Sequence, residues 1–315
     1  MRAPDGTFIY RDDDPLSYRL QAKPIHCFAR TADGRDVLIR LISKGEQGLE
    51  ELDVQQRVAA GSLAFRGENH CLPMLQQLIL EDMTFGVFPA MCEGFNFPWY
   101  HAISEVFDAI IQLLEGLHFL HRLLIAHRDI GAENILINFS GGFRPIHADQ
   151  PFRSLFPVRY YLIDFELSVR FREDSRSEDR VVTGMPLKRL GLEDPEDYGR
   201  DVAPEMLSGE PYDPFKTDVF QMGKMFHDHF HSLKDDVPGL VAIFAAMMAD
   251  QPNSRPTAGE ALDEIRAYEK TLTRVQLELP VPESDIPVPT ISEQERDREE
   301  RKKRKAARAE ALATH

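Results

Sequence analysis

The sequence is poor in cysteine, and its three cysteines, Cys27, Cys71 and Cys92, form no C-x-x-C pair. An odd number of widely spaced thiols indicates neither a disulfide framework nor a zinc site, and is typical of reduced intracellular proteins. The sequence also lacks an uninterrupted apolar run of the about 18 residues that a membrane-spanning helix needs. Its first residues, MRAPDGTFIYRDDD, contain no apolar segment of a signal peptide. We therefore expect a cytoplasmic location, without secretion or membrane insertion.

Positive charge is also scarce. The 315 residues contain 37 lysines and arginines against 52 aspartates and glutamates, which gives a formal net charge of −15. A body of this charge repels phosphates, so neither nucleic acid nor an anionic membrane is expected as its partner. The C-terminal end differs, because from Glu293 onward eight basic and six acidic residues give a net charge of +2 and leave −17 for residues 1–292.

The first part of the chain has the patterns of a small sheet that carries one helix. Residues 25–42 predict two strands joined at Asp33–Gly34, a dipeptide typical of hairpin turns. Residues 46–60 predict a helix, and residues 72–80 and 84–91 predict two further strands. We therefore place an N-terminal extension at residues 1–24 and a first structural unit at residues 25–91.

The remainder is predicted to be mainly helical. Apolar residues recur at helical spacing from Ser104 to Leu124, and further helices are predicted at residues 218–230, 239–249 and 257–271. Thr257 and Glu260 have the spacing of a capping box. Short strands are predicted at residues 135–138 and 160–163. Four prolines between residues 280 and 289 predict an extended linker, so the second unit covers residues 92–274, and a Pro-rich linker and charged tail cover residues 275–315.

The residues of chemical interest follow one another in a recognisable order. His127 to Asn134 read HRDIGAEN, directly after the long predicted helix and before a short strand. The other elements are, in chain order, Asp164, Phe165 and Glu166 at the end of a strand, then Ala203, Pro204 and Glu205, then Asp218, then Arg255. Together, over about residues 25–273, they resemble the eukaryotic protein kinases, whose catalytic loop reads H-R-D-L-x-x-x-N.

This resemblance implies an α+β fold of two lobes, a small antiparallel β-sheet lobe with one helix and a larger, mainly helical lobe. It also implies ATP-dependent phosphoryl transfer to serine or threonine hydroxyls of a protein substrate, with Mg²⁺ as the metal. Asp129 would accept the hydroxyl proton, and Asn134 and Asp164 would hold Mg²⁺ through hard oxygen ligands.

The resemblance also implies where the nucleotide would bind. Phe88 would be the gatekeeper residue, and the backbone groups of Pro89, Ala90 and Met91 would face adenine. The phosphate-covering G-x-G-x-x-G loop is missing, because no glycine occurs between Gly6 and Gly34, and Lys23–Pro24 falls where that turn belongs. Backbone amides need small residues to approach phosphates closely, so we expect weak nucleotide capture by this loop.

The strand VLIRLI places Arg40 where the family has its phosphate-binding lysine. An arginine is a larger planar fork and is not equivalent to a compact ammonium. The partner of Arg40 would be Glu50 or Glu51 on the following helix. Two other interpretations stay open: Arg40 is an exposed strand residue, or Lys44 supplies the missing charge.

Three further positions depart from the family pattern. Glu166 replaces the glycine after Asp-Phe and brings a carboxylate to the metal site, where it would either add a ligand or repel phosphate. Gly131 replaces the lysine that marks serine/threonine kinases, and Tyr198 stands where a substrate-specifying threonine is expected.

The remaining matched residues have structural or regulatory roles in the resemblance. His127 and Phe165 would pack in the core. Glu205 and Arg255 would form a buried ion pair. Arg128 would meet a phosphorylated residue of the long activation segment, for which Thr183 and Ser177 are the candidates.

Three functions are consistent with these residues. The first is a protein kinase with weak activity, and the second is a pseudokinase that binds or scaffolds a protein partner without catalysis. The third, a small-molecule kinase, shares the H-x-D and metal-aspartate pattern but does not explain Ala203 to Glu205, Asp218 and Arg255.

The basic run RKKRK at residues 301–305 has two interpretations. It has the composition of a nuclear-localisation signal read by an import receptor, or of a patch that binds an acidic partner. It is equally consistent with a solvated helix that pairs its charges at i,i+4 spacing.

Overall fold

A computed structural model of the chain describes residues 25–96, 99–140, 151–190 and 195–282. The predicted N-terminal extension, including Lys23–Pro24, and the basic run at residues 301–305 lie outside the described residues. The nuclear signal and the cellular location therefore stay predictions. Among the described residues, no helix is both long enough and apolar enough to cross a lipid bilayer.

The smaller lobe is built on an antiparallel sheet. Its strands are β1 (His26–Arg30), β2 (Asp36–Lys44), β3 (Gln76–Leu80) and β4 (Met83–Pro89), in the order β1-β2-β4-β3. The turn between β1 and β2 contains Gly34 at a φ of 87°, a conformation that glycine adopts without a steric penalty. The predicted hairpin is therefore confirmed, with β2 in the interior of the sheet.

The helix of the smaller lobe, α1 (Leu49–Val58), follows β2 after a tight turn. Gly48 caps it at a φ of 77°, and a Cβ atom there would lie 2.1 Å from the carbonyl oxygen of Ile42. Only glycine fits this turn. The helix packs beneath the sheet with Val54 and Val58 buried, and it carries one buried carboxylate, that of Glu51.

The larger lobe is organised around α2 (Ile103–Arg122), whose Leu113, Leu114 and Leu117 are fully buried. The other helices are α3 (Pro195–Tyr198), α4 (Pro214–Phe230), α5 (Pro238–Met247), α6 (Ala258–Glu269) and α7 (Arg274–Leu277). Helix α6 packs along α2, and α5 packs on α4. The predicted Thr257–Glu260 capping box is present, since each residue bonds the backbone N–H of the other.

Short strands frame the boundary between the lobes. Strands β5 (Cys92–Glu93), β7 (Ile135–Ile137) and β8 (Tyr160–Leu162) form one sheet, and β6 (Ile125–Ala126) pairs with β9 (Val169–Arg170). The loop between β6 and β7 contains residues 127–134, and the end of β8 leads into Asp164. The two main chemical motifs therefore emerge side by side, because β7 and β8 are hydrogen-bonded neighbours.

The predicted start of the helix at Asp218 is wrong. Helix α4 begins at Pro214, and the side chain of Asp213 accepts a hydrogen bond of 2.8 Å from the N–H of Phe215. Proline at the first helical position, preceded by a capping aspartate, is a strong start signal. Asp218 is instead one turn inside the helix, where its side chain points into the core with no exposed surface.

The chain continues to pack on the larger lobe beyond α6. The N–H of Ile103 donates to the carbonyl of Leu279, and the indole N–H of Trp99 donates to the carbonyl of Pro282. Val281 is buried. The described part of the segment assigned to the linker, residues 275–282, therefore lies against the start of α2.

We expect the ion pair between Glu205 and Arg255 to make a large contribution to stability. The two side chains meet through contacts of 2.6 and 2.9 Å, and Arg255 has no exposed surface. Removing one partner of a buried pair leaves an uncompensated charge, which costs about 3–5 kcal/mol. Glu205→Ala and Arg255→Ala should each lower the free energy of unfolding in urea by about that amount, and the double variant by less than the sum.

The exposed pair Arg274–Glu278 provides the matched control, because its two residues meet at 2.8 Å with side chains 90% and 61% exposed. Arg274→Ala should leave the urea midpoint unchanged. Additive losses in the double variant of Glu205 and Arg255 would contradict a direct interaction.

Candidate active site

A buried carboxylate fixes the loop of residues 127–134. Asp218 accepts hydrogen bonds from the backbone N–H groups of His127 (2.8 Å) and Arg128 (2.7 Å), and its Oδ2 also contacts His121 Nε2 at 3.0 Å. Arg128 has a φ of 64°, which is unfavourable for a residue with a side chain. The bonds to Asp218 hold this strained conformation, and they set the direction in which Asp129 leaves the loop.

Asp129 and Asn134 are joined at the two ends of the loop. Asn134 Nδ2 donates to the backbone carbonyl of Asp129 at 2.8 Å and to its Oδ2 at 2.7 Å. With the amide nitrogen thus oriented, the side-chain oxygen of Asn134 accepts no hydrogen bond from a described residue. A hard oxygen is therefore presented beside the Asp129 carboxylate.

Asp164 follows β8 and is tied to the same loop. The N–H of Ile163 donates to the carbonyl of Asn134 at 3.0 Å, and His127 Nε2 donates to the carbonyl of Ile163 at 3.0 Å. Asp164 has a φ of 67°, and Phe165 after it is buried with its ring 5.1 Å from that of His127. Both His127 and Phe165 thus lie in the core, as predicted from the sequence.

Arg40 reaches from β2 into the cleft and contacts two carboxylates. Its Nη1 lies 2.6 Å from Glu51 Oε1, and its Nη2 lies 2.9 Å from Asp164 Oδ1. The Arg40 side chain is only 12% exposed, so it is not a surface residue of the strand. The partner on α1 is Glu51, whereas Glu50 is exposed, and Lys44, also exposed, does not take the place of Arg40.

Burial and charge shift the pKa values of this cluster. Desolvation, reinforced by the charges of Asp164 and Glu166, raises the pKa of Glu51 to about 7, although Arg40 opposes the shift. Burial disfavours the charged form of Arg40, but the carboxylates of Glu51 and Asp164 outweigh it and raise the pKa of Arg40. Among the described residues, the guanidinium of Arg40 thus contacts the carboxylates of Glu51 and Asp164, with Glu166 as a third carboxyl group nearby.

The predicted adenine site lies at the end of β4. Phe88 is 4% exposed and packs with Ile42 and Leu72, and partly buried apolar side chains from both lobes extend this cluster: Leu52, Met74, Met91, Leu136, Tyr161 and Ile163. The N–H of Ala90 is used, because it donates to the carbonyl of Asp36 at 3.0 Å. Pro89 has no N–H. The N–H and carbonyl of Met91 bond to no described residue, so Met91 is the hinge residue with both backbone groups available.

The activation segment places its predicted residues in different environments. Thr183, Ser177 and Glu166 are exposed. Tyr198 is 6% exposed; its hydroxyl donates to the carbonyl of Arg128 and accepts a bond from Gln221 Nε2. Tyr198 therefore supports the catalytic loop and does not face a substrate. Neither Thr183 nor Ser177 is shown to be a modification site.

The sequence analysis did not predict one residue that contacts Asp129. Arg200, two residues after Tyr198, brings its Nε to 3.0 Å from Asp129 Oδ1. Nothing in its local sequence marks it. The signal that could have identified it is the glycine at position 131, where the serine/threonine kinases that the sequence resembles have a lysine.

The histidines at positions 227, 229 and 231 do not form a metal centre. His227 and His231 stack with ring centroids 5.6 Å apart, and His229 Nδ1 bonds the carbonyl of Met225. Within the described ranges, no group of three His, Cys, Asp or Glu side chains is arranged to hold a metal ion.

Comparison with known proteins agrees with this geometry. The protein kinase domain model matches residues 78–238, just over half of the chain. The chain therefore belongs to the protein kinase domain family, and the predicted two-lobed α+β kinase fold is confirmed.

Three curated relatives are similar over part of their length. The serine/threonine-protein kinase ppk8 of Schizosaccharomyces pombe is 30% identical over 142 residues, which cover 45% of this chain and 21% of that protein. The probable serine/threonine-protein kinase mkcD of Dictyostelium discoideum is 25% identical over 146 residues (46% and 17%), and rhodopsin kinase GRK1 of Rattus norvegicus is 25% identical over 194 residues (59% and 28%). The chain thus spans less than a third of each relative.

The raised pKa of Glu51 predicts a pH dependence of stability. Between its usual pKa of 4.5 and about 7, the folded protein holds a proton on Glu51 that the unfolded chain has released. The free energy of unfolding should therefore fall as the pH rises through this range, by at most about 1.4 kcal/mol per pH unit. Urea denaturation of the wild type and of Glu51→Gln at pH 4.5 to 8 measures the effect. A difference between the two proteins that does not change with pH would contradict it.

Proposed function

We propose that this chain binds Mg-ATP in the cleft between its lobes and transfers the γ-phosphoryl group, slowly, to serine or threonine hydroxyls of a protein substrate. The observation that carries the proposal is the assembly of Asp129, Asn134 and Asp164 on two adjacent loops. These loops are joined by the bonds from Ile163 N–H to Asn134 and from His127 to Ile163.

Asp129 has the position required of the group that orients the attacking hydroxyl. Phosphoryl transfer depends mainly on alignment and charge stabilisation, so a fixed carboxylate at the end of a constrained loop suffices for this role. The hydrogen bond from Asn134 to Asp129 Oδ2 holds the carboxylate in one orientation. The Asp129 side chain is 13% exposed, which leaves one edge of the carboxylate accessible from the cleft.

The metal would be held by the side-chain oxygen of Asn134 and the carboxylate of Asp164. Both are hard oxygen ligands of the kind that Mg²⁺ prefers. The carboxyl groups of Glu51, Asp164 and Glu166 lie close to one another and to Arg40, and they give this part of the described structure a negative potential that attracts a cation. When bound, Mg²⁺ neutralises phosphate charge, which this acidic cleft would otherwise repel.

The nucleotide base would pack on the apolar cluster around Phe88, Leu136 and Ile163. The available N–H and carbonyl of Met91 match the donor and acceptor edge of adenine. Arg40, with both terminal nitrogens already occupied by carboxylates, would contact phosphate less well than a free lysine. Loss of one preorganised charge contact typically costs about 10²–10³ in rate, which is why we expect slow turnover.

A second function, binding or scaffolding of a protein partner without catalysis, is favoured by one specific observation. Each of the two functional aspartates is paired with an arginine of the protein, Asp164 with Arg40 and Asp129 with Arg200. A pseudokinase whose carboxylates are permanently neutralised would have this arrangement. Binding and transfer measurements separate the two functions.

Mg-ATP should raise the melting temperature of the protein. At about ten times the dissociation constant, binding adds about 1.4 kcal/mol, which corresponds to about 2–4 °C for a domain of this size. Asp164→Asn should abolish the rise, because it removes the charged metal ligand. Asp174→Asn is the matched control, since Asp174 is an exposed residue of the same segment that pairs with Arg172. The absence of a shift in wild type at millimolar Mg-ATP would leave scaffolding as the function.

Transfer is tested with γ-labelled ATP and a generic protein substrate. Label should enter serine or threonine of the substrate with wild type and with Asp174→Asn, and should be undetectable with Asp129→Asn. The reason is that the amide no longer accepts the hydroxyl proton. Label that persists with Asp129→Asn would indicate a contaminating kinase, and Mg-ATP binding without label in wild type would identify the chain as a binding module.

A further inference from the structure

The catalytic loop of this chain has a glycine, Gly131, next to the side chain of Arg200. A Cβ atom added there would lie 2.9 Å from Arg200 Nε and 3.0 Å from Arg200 Cδ. A side chain at position 131 and the guanidinium of Arg200 therefore compete for the same space. A side chain at this position would require the side chain of Arg200 to move.

Arg200 brings its charge directly to Asp129. Its Nε lies 3.0 Å from Asp129 Oδ1, and its Nη1 lies 3.3 Å from Glu133 Oε2 at the other end of the loop. The side chain is 19% exposed, so most of it is shielded from water. An ion pair in this setting is stronger than one on the surface.

The donors of this guanidinium are not saturated. The Nε is buried and makes no hydrogen bond, although it lies 3.0 Å from Asp129 Oδ1. In the part of the chain that the structure describes, Nη2 has no acceptor. An anion that enters beside Asp129 would find the N–H groups of Nη2 ready to bind it.

The position of Arg200 is fixed from both sides by one buried side chain. Gln221 of α4 donates from Nε2 to the hydroxyl of Tyr198 (2.7 Å) and to the carbonyl of Asp201 (3.0 Å). Its Oε1 accepts from the N–H of Ile130 at 3.3 Å. The side-chain amide of Gln221 thus joins the segment that carries Arg200 to the catalytic loop. These bonds hold Arg200 in place beside Asp129.

We propose that Arg200 is a catalytic residue that supplies, from the activation segment, the cation that the catalytic loop lacks at position 131. It holds Asp129 through Nε and presents Nη2 to the oxygens of the transferring phosphoryl group. This proposal rests on the proposed phosphoryl transfer and names a further residue of that site.

The reaction step defines what the cation does. The substrate hydroxyl oxygen forms a bond to the γ-phosphorus while the bond to the β,γ-bridging oxygen breaks, and ADP leaves with that electron pair. The hydroxyl proton passes to Asp129. Negative charge on the three non-bridging oxygens lies next to Asp129 throughout, so a guanidinium beside that carboxylate stabilises the transition state.

The test removes the positive charge of Arg200 and then places one at position 131 of the catalytic loop. Arg200→Ala and Arg200→Gln, which keeps polarity without charge, should each lower kcat about 100-fold with little change in the KM for the substrate. In Arg200→Ala, the ratio of Mg-ATP to Mg-ADP affinity should fall about tenfold, because only ATP carries the γ-phosphoryl group. Adding Gly131→Lys to Arg200→Ala should restore kcat to within about tenfold of wild type, since the space is then vacant and the charge returns to the loop.

Arg172→Ala serves as the control, because Arg172 is an 84% exposed arginine of the same segment that pairs with Asp174. This variant should change neither kcat nor the ratio of Mg-ATP to Mg-ADP affinity. An unchanged affinity ratio in both Arg200 variants would overturn the proposal, as would a higher kcat in Arg200→Ala, which would make Arg200 an inhibitory plug. If wild type binds Mg-ATP but transfers nothing, phosphoryl transfer fails, yet the affinity ratio still decides whether Arg200 faces the γ-phosphate. If wild type binds neither nucleotide, both proposals are wrong.

Discussion

The active-site region depends on the buried carboxylate of Asp218. It has no exposed surface, and it accepts the backbone N–H groups of His127 and Arg128 together with the ring N–H of His121. Arg128 has a left-handed conformation that a non-glycine residue keeps only where its surroundings enforce it. The carboxylate in turn needs those donors, because a buried charge without partners is very costly. Helix α4 and the loop that carries Asp129 are therefore stabilised by the same bonds, and neither keeps its geometry without the other.

Two arginines bring positive charge to the carboxylates of the site. Arg40 spans Glu51 and Asp164, and Arg200 spans Asp129 and Glu133. A guanidinium has five donors in a rigid plane and can bridge two carboxylates, which an ammonium of the same charge does less well. The arrangement balances the acidic site before any ligand is present. It also means that a metal ion or a phosphate must share these groups with the protein.

Short motifs identified most of the site because their residues are close in sequence. The loop from His127 to Asn134 is local, so its spacing alone predicts that Asp129 and Asn134 lie together. The choice of Glu51 over Glu50 depended on which face of α1 is buried, and one residue of helical rotation decides it. Arg200 could not be found in this way, because the vacancy at Gly131 and the residue that fills it are 69 positions apart in the chain. The start of α4 differs from the predicted one for another reason, since the local start signal at Asp213–Pro214 lies one turn before the motif residue Asp218.

The ion pairs Arg40–Asp164 and Arg200–Asp129 affect both the stability of the site and the rate expected for the proposed phosphoryl transfer. In the ligand-free protein each aspartate is compensated, so the strained conformations of Arg128 and Asp164 are held without a nucleotide. Full preorganisation of this kind normally favours catalysis, because no reorganisation is needed at the moment of reaction. For the proposed phosphoryl transfer, part of that advantage is lost, because the charges are preorganised toward the protein's own carboxylates. Arg40 has both terminal nitrogens on carboxylates, whereas Arg200 keeps Nη2 for another acceptor. Among the described residues, the guanidinium of Arg40 is therefore fully committed to the protein's own carboxylates, and that of Arg200 only in part.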